Sequence, residues 1–168
     1  MESVGEGRII DVVVEGMGRI NYGRTGMGDR KGLGGIEVDG VEVEGVKHRI
    51  MELDSGDLDA VEYMSRDDDG EGRGGSRFYK GAIDIDRVEG ATFVDVSSFG
   101  KGYVFVNGFN LGRYWSAKGP VLTLYVPEGV MVEGKNEVVV VELEEGGEGG
   151  RNVVLVDEPK VVEKGREE

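Results

Sequence analysis

The sequence has no cysteine, no glutamine, one histidine and one tryptophan. Without thiols, disulfides, thiolate zinc centres and cysteine nucleophiles are excluded, and the fold is indifferent to redox compartment. The lone His48, in "VKHRIM", has no serine or acid at a telling spacing, so it reads as a strand-face histidine and argues against a catalytic triad. No stretch approaches the roughly 20 apolar residues of a membrane span. The opening "MESVGEGRII" lacks the basic-then-apolar pattern of a signal peptide, so the chain is expected to be soluble with no signal peptide in it, and its compartment is not legible. Cations are also scarce: Lys and Arg total 20 against 34 Asp and Glu, a formal net charge of -14. That balance argues against nucleic acid and anionic membranes as partners, because both need a phosphate-neutralising surface. A chain of 168 residues can bury one core, or one core and a fragment of a second. It is too short for a catalytic barrel of roughly 250 residues.

What is present is short and two-fold. "RIIDVVVEGM", "GGIEVDGVEVEG", "VKHRIMEL", "FYKGAIDID", "TFVDV", "GYVFVNG", "VLTLYV", "NEVVVVELE" and "NVVLVDEPKVVE" are rich in valine and isoleucine and bounded by Gly, Asp or Asn. That is a strand signature. Asp39-Gly40 and Asn107-Gly108 sit between paired runs and suit the positive φ angles of a type I′ hairpin turn. Only "SGDLDAVEYMSRD", residues 55–67, spaces Leu58, Val61 and Met64 three apart behind a capping Ser55, which predicts one short helix. With 31 glycines and closely spaced strands, the expected fold is all-β: an antiparallel jelly-roll sandwich with one short helix. "SRDDDGEGRGGSR", residues 65–77, has no large apolar residue and reads as a mobile linker; the end "EKGREE", 163–168, reads as a solvated charged tail.

Glycosidases need two carboxylates, about 5 Å apart or about 6.5 to 9.5 Å apart. The 34 acids here fall mostly on outward strand positions or in glycine loops, the pattern of a solvated acidic surface. The run Asp67 to Glu71 lacks EF-hand spacing; it reads as linker, with a weak cation site through Asp67 and Asp69 as the lesser alternative. "GRTGMGDRKG" is not followed by Gly-Lys-Ser/Thr or a helix, so it reads as a turn rather than a phosphate loop, and no cofactor is expected. "NGFNLGRYW" concentrates Asn107, Asn110, Arg113, Tyr114 and Trp115, an aromatic face beside hydrogen-bonding groups, as in sugar sites. Strand alternation puts Arg113 and Trp115 on one face and Tyr114 on the other. Asn107, Asn110, Arg113 and Trp115 are therefore candidate sugar-binding residues. Against this, the one tryptophan of a small domain is more often core than platform, so the residues alone leave the choice open.

The segment from Phe78 to Glu144 resembles the C-terminal galactose-binding-like jelly roll of glycoside hydrolase family 35 β-galactosidases. The match runs through "GKGYVFVNGFNLGRYW", "GPVLTLYVPEG" and "NEVVVVELE" in order. Upstream, "DVVVEGMGRINYG" with "DRKGLGGIEVDG" resembles the end of the preceding all-β domain, and "VVLVDEPKVVE" the closing strand. The resemblance implies four parts: residues 1–64 from that first all-β domain, a linker over 65–77, a jelly roll over 78–162 and a tail over 163–168. It also implies that the catalytic glutamates belong to a (β/α)8 barrel absent from this chain, so no catalytic residue is carried over. Arg19, Asn21 and Tyr22 in "GRINYG", with Tyr114, are implied as structural motif residues. The expected role is a noncatalytic accessory region, mainly structural with weak galactoside binding, whose partners are galactosides or a barrel domain. A freestanding lectin-like protein is the alternative. Family members are often secreted, periplasmic or lysosomal; oligomeric state is not legible.

Overall fold

A computed structural model describes residues 10–18, 23, 28, 30–63, 76–144 and 152–162. The chain divides into two units, Met1–Ile50 and Met51–Glu168. Most of the expected linker, the tail, and Arg19, Asn21, Tyr22, Asp67 and Asp69 lie outside the described residues.

In the first unit β1 (Glu37–Val38) and β2 (Val41–Glu42) form an antiparallel hairpin. Asp39 and Gly40 supply φ angles of 53° and 79°, the two left-handed positions of the expected turn. Residues 10–17 and 46–50, expected as strands, form none, and apart from the partly buried Ile36 the unit's larger described apolar residues are exposed, Val13 at 77% and Ile50 at 84% among them. His48 is exposed as well.

The second unit holds the core. Helix α1 (Ser55–Asp59) is capped by Asp54, whose Oδ1 accepts the Asp57 N–H at 2.9 Å, while Asp57 Oδ2 accepts the Leu53 N–H at 2.9 Å. The expected cap, Ser55, is instead the first helical residue, because an aspartate one position earlier reaches the same amide. Seven strands follow: β3 (Arg77–Ile85), β4 (Thr92–Asp95), β5 (Lys101–Val106), β6 (Phe109–Trp115), β7 (Thr123–Val126), β8 (Gly134–Glu144) and β9 (Val154–Val156). They form two antiparallel sheets in the orders β3-β8-β5-β6 and β7-β4-β9. Among the described residues the second unit is thus the expected all-β jelly-roll sandwich with one short helix.

Between the sheets, Val104, Val106, Val138 and Val140 meet Val94, Val126 and the partly buried Leu124 and Leu155. Phe99 sits edge-on to both Tyr79 and Tyr114, with ring centroids 5.9 and 6.1 Å apart. The outer face of the four-stranded sheet is covered too: Leu58 of α1, flanked by Leu53 and Tyr63, packs on Phe105, Val139 and Val141. Central strands buried on both sides explain why "VFV" and "VVVV" are continuous apolar runs rather than alternating ones. Each such valine contributes about 1.5–3 kcal/mol through burial.

Candidate functional site

The β5–β6 hairpin carries the motif. Asn107 and Gly108 take φ angles of 50° and 78°, closing the turn as the Asn-Gly pair predicts. Asn107 is also fastened to its surroundings: Nδ2 donates to Val130 O and to Asn136 Oδ1, both at 2.8 Å, and Oδ1 accepts the Glu137 N–H at 2.9 Å. Asn136 is fully buried and saturates its amide. Its Oδ1 also accepts the Val132 N–H at 2.9 Å, and its Nδ2 donates to the carbonyls of Val132 and Gly134 at 2.7 and 3.0 Å.

Beyond the turn the register slips, because Val104 faces Gly112 whereas Phe105 faces Asn110. Leu111 is the extra residue of a β-bulge, and Gly112 meets its geometry with a φ of 115°. Asn110 Oδ1 accepts the Gly112 N–H at 2.8 Å and braces the bulge. After it, alternation resumes as expected. Tyr114 enters the inter-sheet core, where its hydroxyl donates to Val141 O at 3.1 Å. Arg113 lies exposed, and Trp115 is half-buried and outside both core clusters. The expectation that a lone tryptophan fills the core is therefore not met; Tyr114 and Phe99 occupy that volume.

Trp115 sits among basic groups. Lys101, its cross-strand partner, places Nζ 4.2 Å from the ring centroid; Lys118 Nζ lies at 5.5 Å and Arg113 Cζ at 5.6 Å. All three are within the range of cation–π attraction. Lys101 Nζ is also bonded to Glu144 Oε1 at 3.2 Å. A cavity of about 240 Å³ opens beside the indole, lined by residues 113–115, Lys118, Gly119 and residues 121–124. So of the four candidate sugar-binding residues, the structure brings Arg113 and Trp115 to one hollow. Asn107 and Asn110 hydrogen-bond within the fold and do not line it.

Reading the sequence as solvated acids missed Glu142, which is 1% exposed. A bulge on β8 at Leu143 turns its carboxylate toward two backbone amides. Gly100 N–H reaches Oε1 and Oε2 at 3.2 and 3.1 Å, and Lys101 N–H reaches Oε1 at 2.9 Å. Burial, the strongest influence, pushes this carboxyl above the ordinary glutamate value; hydrogen bonds from Lys101, Gly100, Tyr114 and Glu144 pull the other way without cancelling it. The signal was positional: 138, 140 and 142 share one strand face, and the first two are core valines. Opposite, Gly102 is indispensable, since a Cβ there would lie 1.7 Å from Val141 O.

No helix among the described residues is long and apolar enough to cross a membrane. A family model described as the galactose-binding domain of beta-galactosidase matches residues 76–136. Beta-galactosidase 17 of Arabidopsis thaliana is 34% identical over 146 residues, covering 79% of this chain and 21% of that protein. Beta-galactosidase of Bos taurus is 34% identical over 177 residues, covering 91% of this chain and 26% of that protein. Its Homo sapiens counterpart is 36% identical over 160 residues, covering 82% and 23%. The chain therefore spans about a fifth to a quarter of the length of these relatives. By sequence, the chain belongs to the glycoside hydrolase family 35 β-galactosidases and fits their galactose-binding-like region.

Proposed function

We propose that the chain is a noncatalytic accessory β-sandwich of a β-galactosidase-like glycoside hydrolase, chiefly structural, with a weak galactoside contact at Trp115. The use made of "NGFNLGRYW" carries the reading: Asn107, Asn110 and Tyr114 hydrogen-bond within the fold, while the indole stays half-exposed beside a hollow. A structural role is further supported by the first unit, whose exposed valines suit strands that further protein covers. On this reading residues 1–64 complete a neighbouring all-β domain, 65–77 link, and 78–162 form the jelly roll. The partner is then a catalytic (β/α)8 barrel.

The test is an amide NMR titration of the full chain with galactose and lactose into the millimolar range, where binding is worth about 4 kcal/mol. Saturable shifts at the Trp115 indole N–H support the contact; a spectrum indifferent to both sugars removes it. In parallel, a chromogenic β-galactoside should stay intact, and turnover that co-elutes with the chain through successive columns defeats the noncatalytic assignment. A freestanding lectin-like protein is the second reading, favoured by the position of Trp115 outside the core. Micromolar galactoside affinity lost on Trp115→Ala or Arg113→Ala would select it.

A further inference from the structure

We infer that the hollow beside Trp115 prefers a sugar bearing a negative charge, a uronate or a sulfated galactose, over a neutral galactoside. The inference rests on the galactoside contact proposed above and names its ligand class. The chain as a whole is strongly acidic, at a net charge of -14, yet the two charged side chains that line this hollow, Arg113 and Lys118, are both cationic. Arg113 comes from β6 and Lys118 from the loop after it, 5.6 and 5.5 Å from the indole centroid; Lys101 of β5 lies 4.2 Å from the same ring but outside the lining. Glu144 answers Lys101. Lys118, exposed at the rim, supplies the ammonium that lines the hollow beside the Arg113 guanidinium.

The combination suits one kind of ligand. An indole face covers the apolar C–H side of a pyranose. A guanidinium or ammonium at the same ring then reaches a carboxylate or sulfate on the sugar through charge-assisted hydrogen bonds. At about 240 Å³ the cavity is below the roughly 300–1,000 Å³ of drug-sized sites, which limits it to a single sugar ring. Another hollow, about 380 Å³ between Val88, Tyr125, Pro127 and Met131, has Glu128 as its one charged side chain and would repel an anion; in one of about 320 Å³ beside Tyr79 and Phe99 the one charged side chain, Lys80, is paired with Glu137 at 2.8 Å. Charge complementarity thus assigns the acidic ligand to Trp115.

The experiment is an amide NMR titration of the full chain with galactose, galacturonic acid, galactose 6-sulfate and sodium sulfate alone. The expected result is saturable movement of the Trp115 indole N–H, with one or both acidic sugars binding about tenfold more tightly than galactose. The two acidic arms separate carboxylate from sulfate. Lys118→Gln should bring the acidic sugar back toward the affinity of galactose while the spectrum stays dispersed. Equal affinities for galactose and the acidic sugars overturn the inference and leave the galactoside contact standing. Sodium sulfate matching the sulfated sugar also overturns it, as does an unchanged acidic affinity in Lys118→Gln. If no sugar moves the indole, or if the shifts centre on residues 125–131, both the inference and the Trp115 contact fall.

Discussion

Asn107 Nδ2 donates to Asn136 Oδ1 at 2.8 Å, joining the tip of the β5–β6 hairpin to the start of β8. One side chain is exposed and sets a turn; the other is fully buried and holds the 130–134 loop closed.

Asn136→Ala strands the Val132 N–H and carbonyl as well as Asn107, so it should cost about 2–4 kcal/mol, measured by urea unfolding. Asn107→Gly keeps the left-handed turn and should cost less. The two changes together should fall short of additive, and strict additivity in the double-mutant cycle contradicts the coupling.

Gly102→Ala should be among the most damaging single changes in the chain. The added methyl meets the Val141 carbonyl and the Tyr114 hydroxyl, neither of which is the loose end of a flexible side chain. A loss above about 4 kcal/mol, or no soluble dispersed protein, is expected. A variant with wild-type amide dispersion and melting temperature would contradict the packing.

Glu142 and Asp95 should respond to pH in opposite senses. The Glu142 carboxyl is raised, so its contribution is fully present below the unfolded glutamate value near 4.5 and is lost as pH climbs through the folded value. Burial also acts most strongly on Asp95, but hydrogen bonds from Ser97 and the Lys160 ammonium outweigh it and lower its carboxyl. Its contribution is present above the unfolded value near 3.8 and disappears as pH falls through the folded one. Glu142→Gln should remove the first dependence at a cost below about 1 kcal/mol, because its carbonyl still accepts from Gly100 and Lys101. Glu142→Leu leaves those amides unpaired and should cost about 2–4 kcal/mol. Stability curves from pH 3 to 8 for the three proteins test the assignment, and identical slopes for wild type and Glu142→Gln would contradict it.

Trp115→Ala should cost less than the about 3–5 kcal/mol of a core tryptophan, since the indole lies outside both core clusters. Tyr114→Phe, one residue away, removes a buried hydroxyl that serves Val141 O and Glu142 and should cost about 1–2 kcal/mol; the ring that lines the hollow is kept, so sugar binding should change little. Chemical denaturation of both variants, alongside the sugar titration, separates the two faces of β6. A Trp115→Ala loss at the core value would return the indole to the interior.

The strand runs of the second unit, the two hairpin turns and the split between Tyr114 and its neighbours were legible because each depends on nearest neighbours along the chain; valine content alone misled at residues 10–17 and 46–53, which form no strand. Bulges were not. One extra residue, Leu111, fixes the Asn110 side chain onto Gly112, and another, Leu143, turns Glu142 toward Gly100. Both depend on the partner strand's register, which no short window of sequence carries. The cover that Leu58 provides over Phe105 was equally hidden, because it joins distant segments. Only the unbroken valine run of β8 hinted that this strand lies buried on both faces.

The strand order also imposes a timetable. β3 and β5 do not pair with each other; both wait for β8, which leaves the ribosome after β4 through β7. Until then the edges of β3 and β5 that will receive it stay unsatisfied, with Val104 and Phe105 beside one of them. Closure through such distant pairing is slow, so the emerging chain passes through an interval in which the same valines that later lock the sandwich are open to association with other nascent chains.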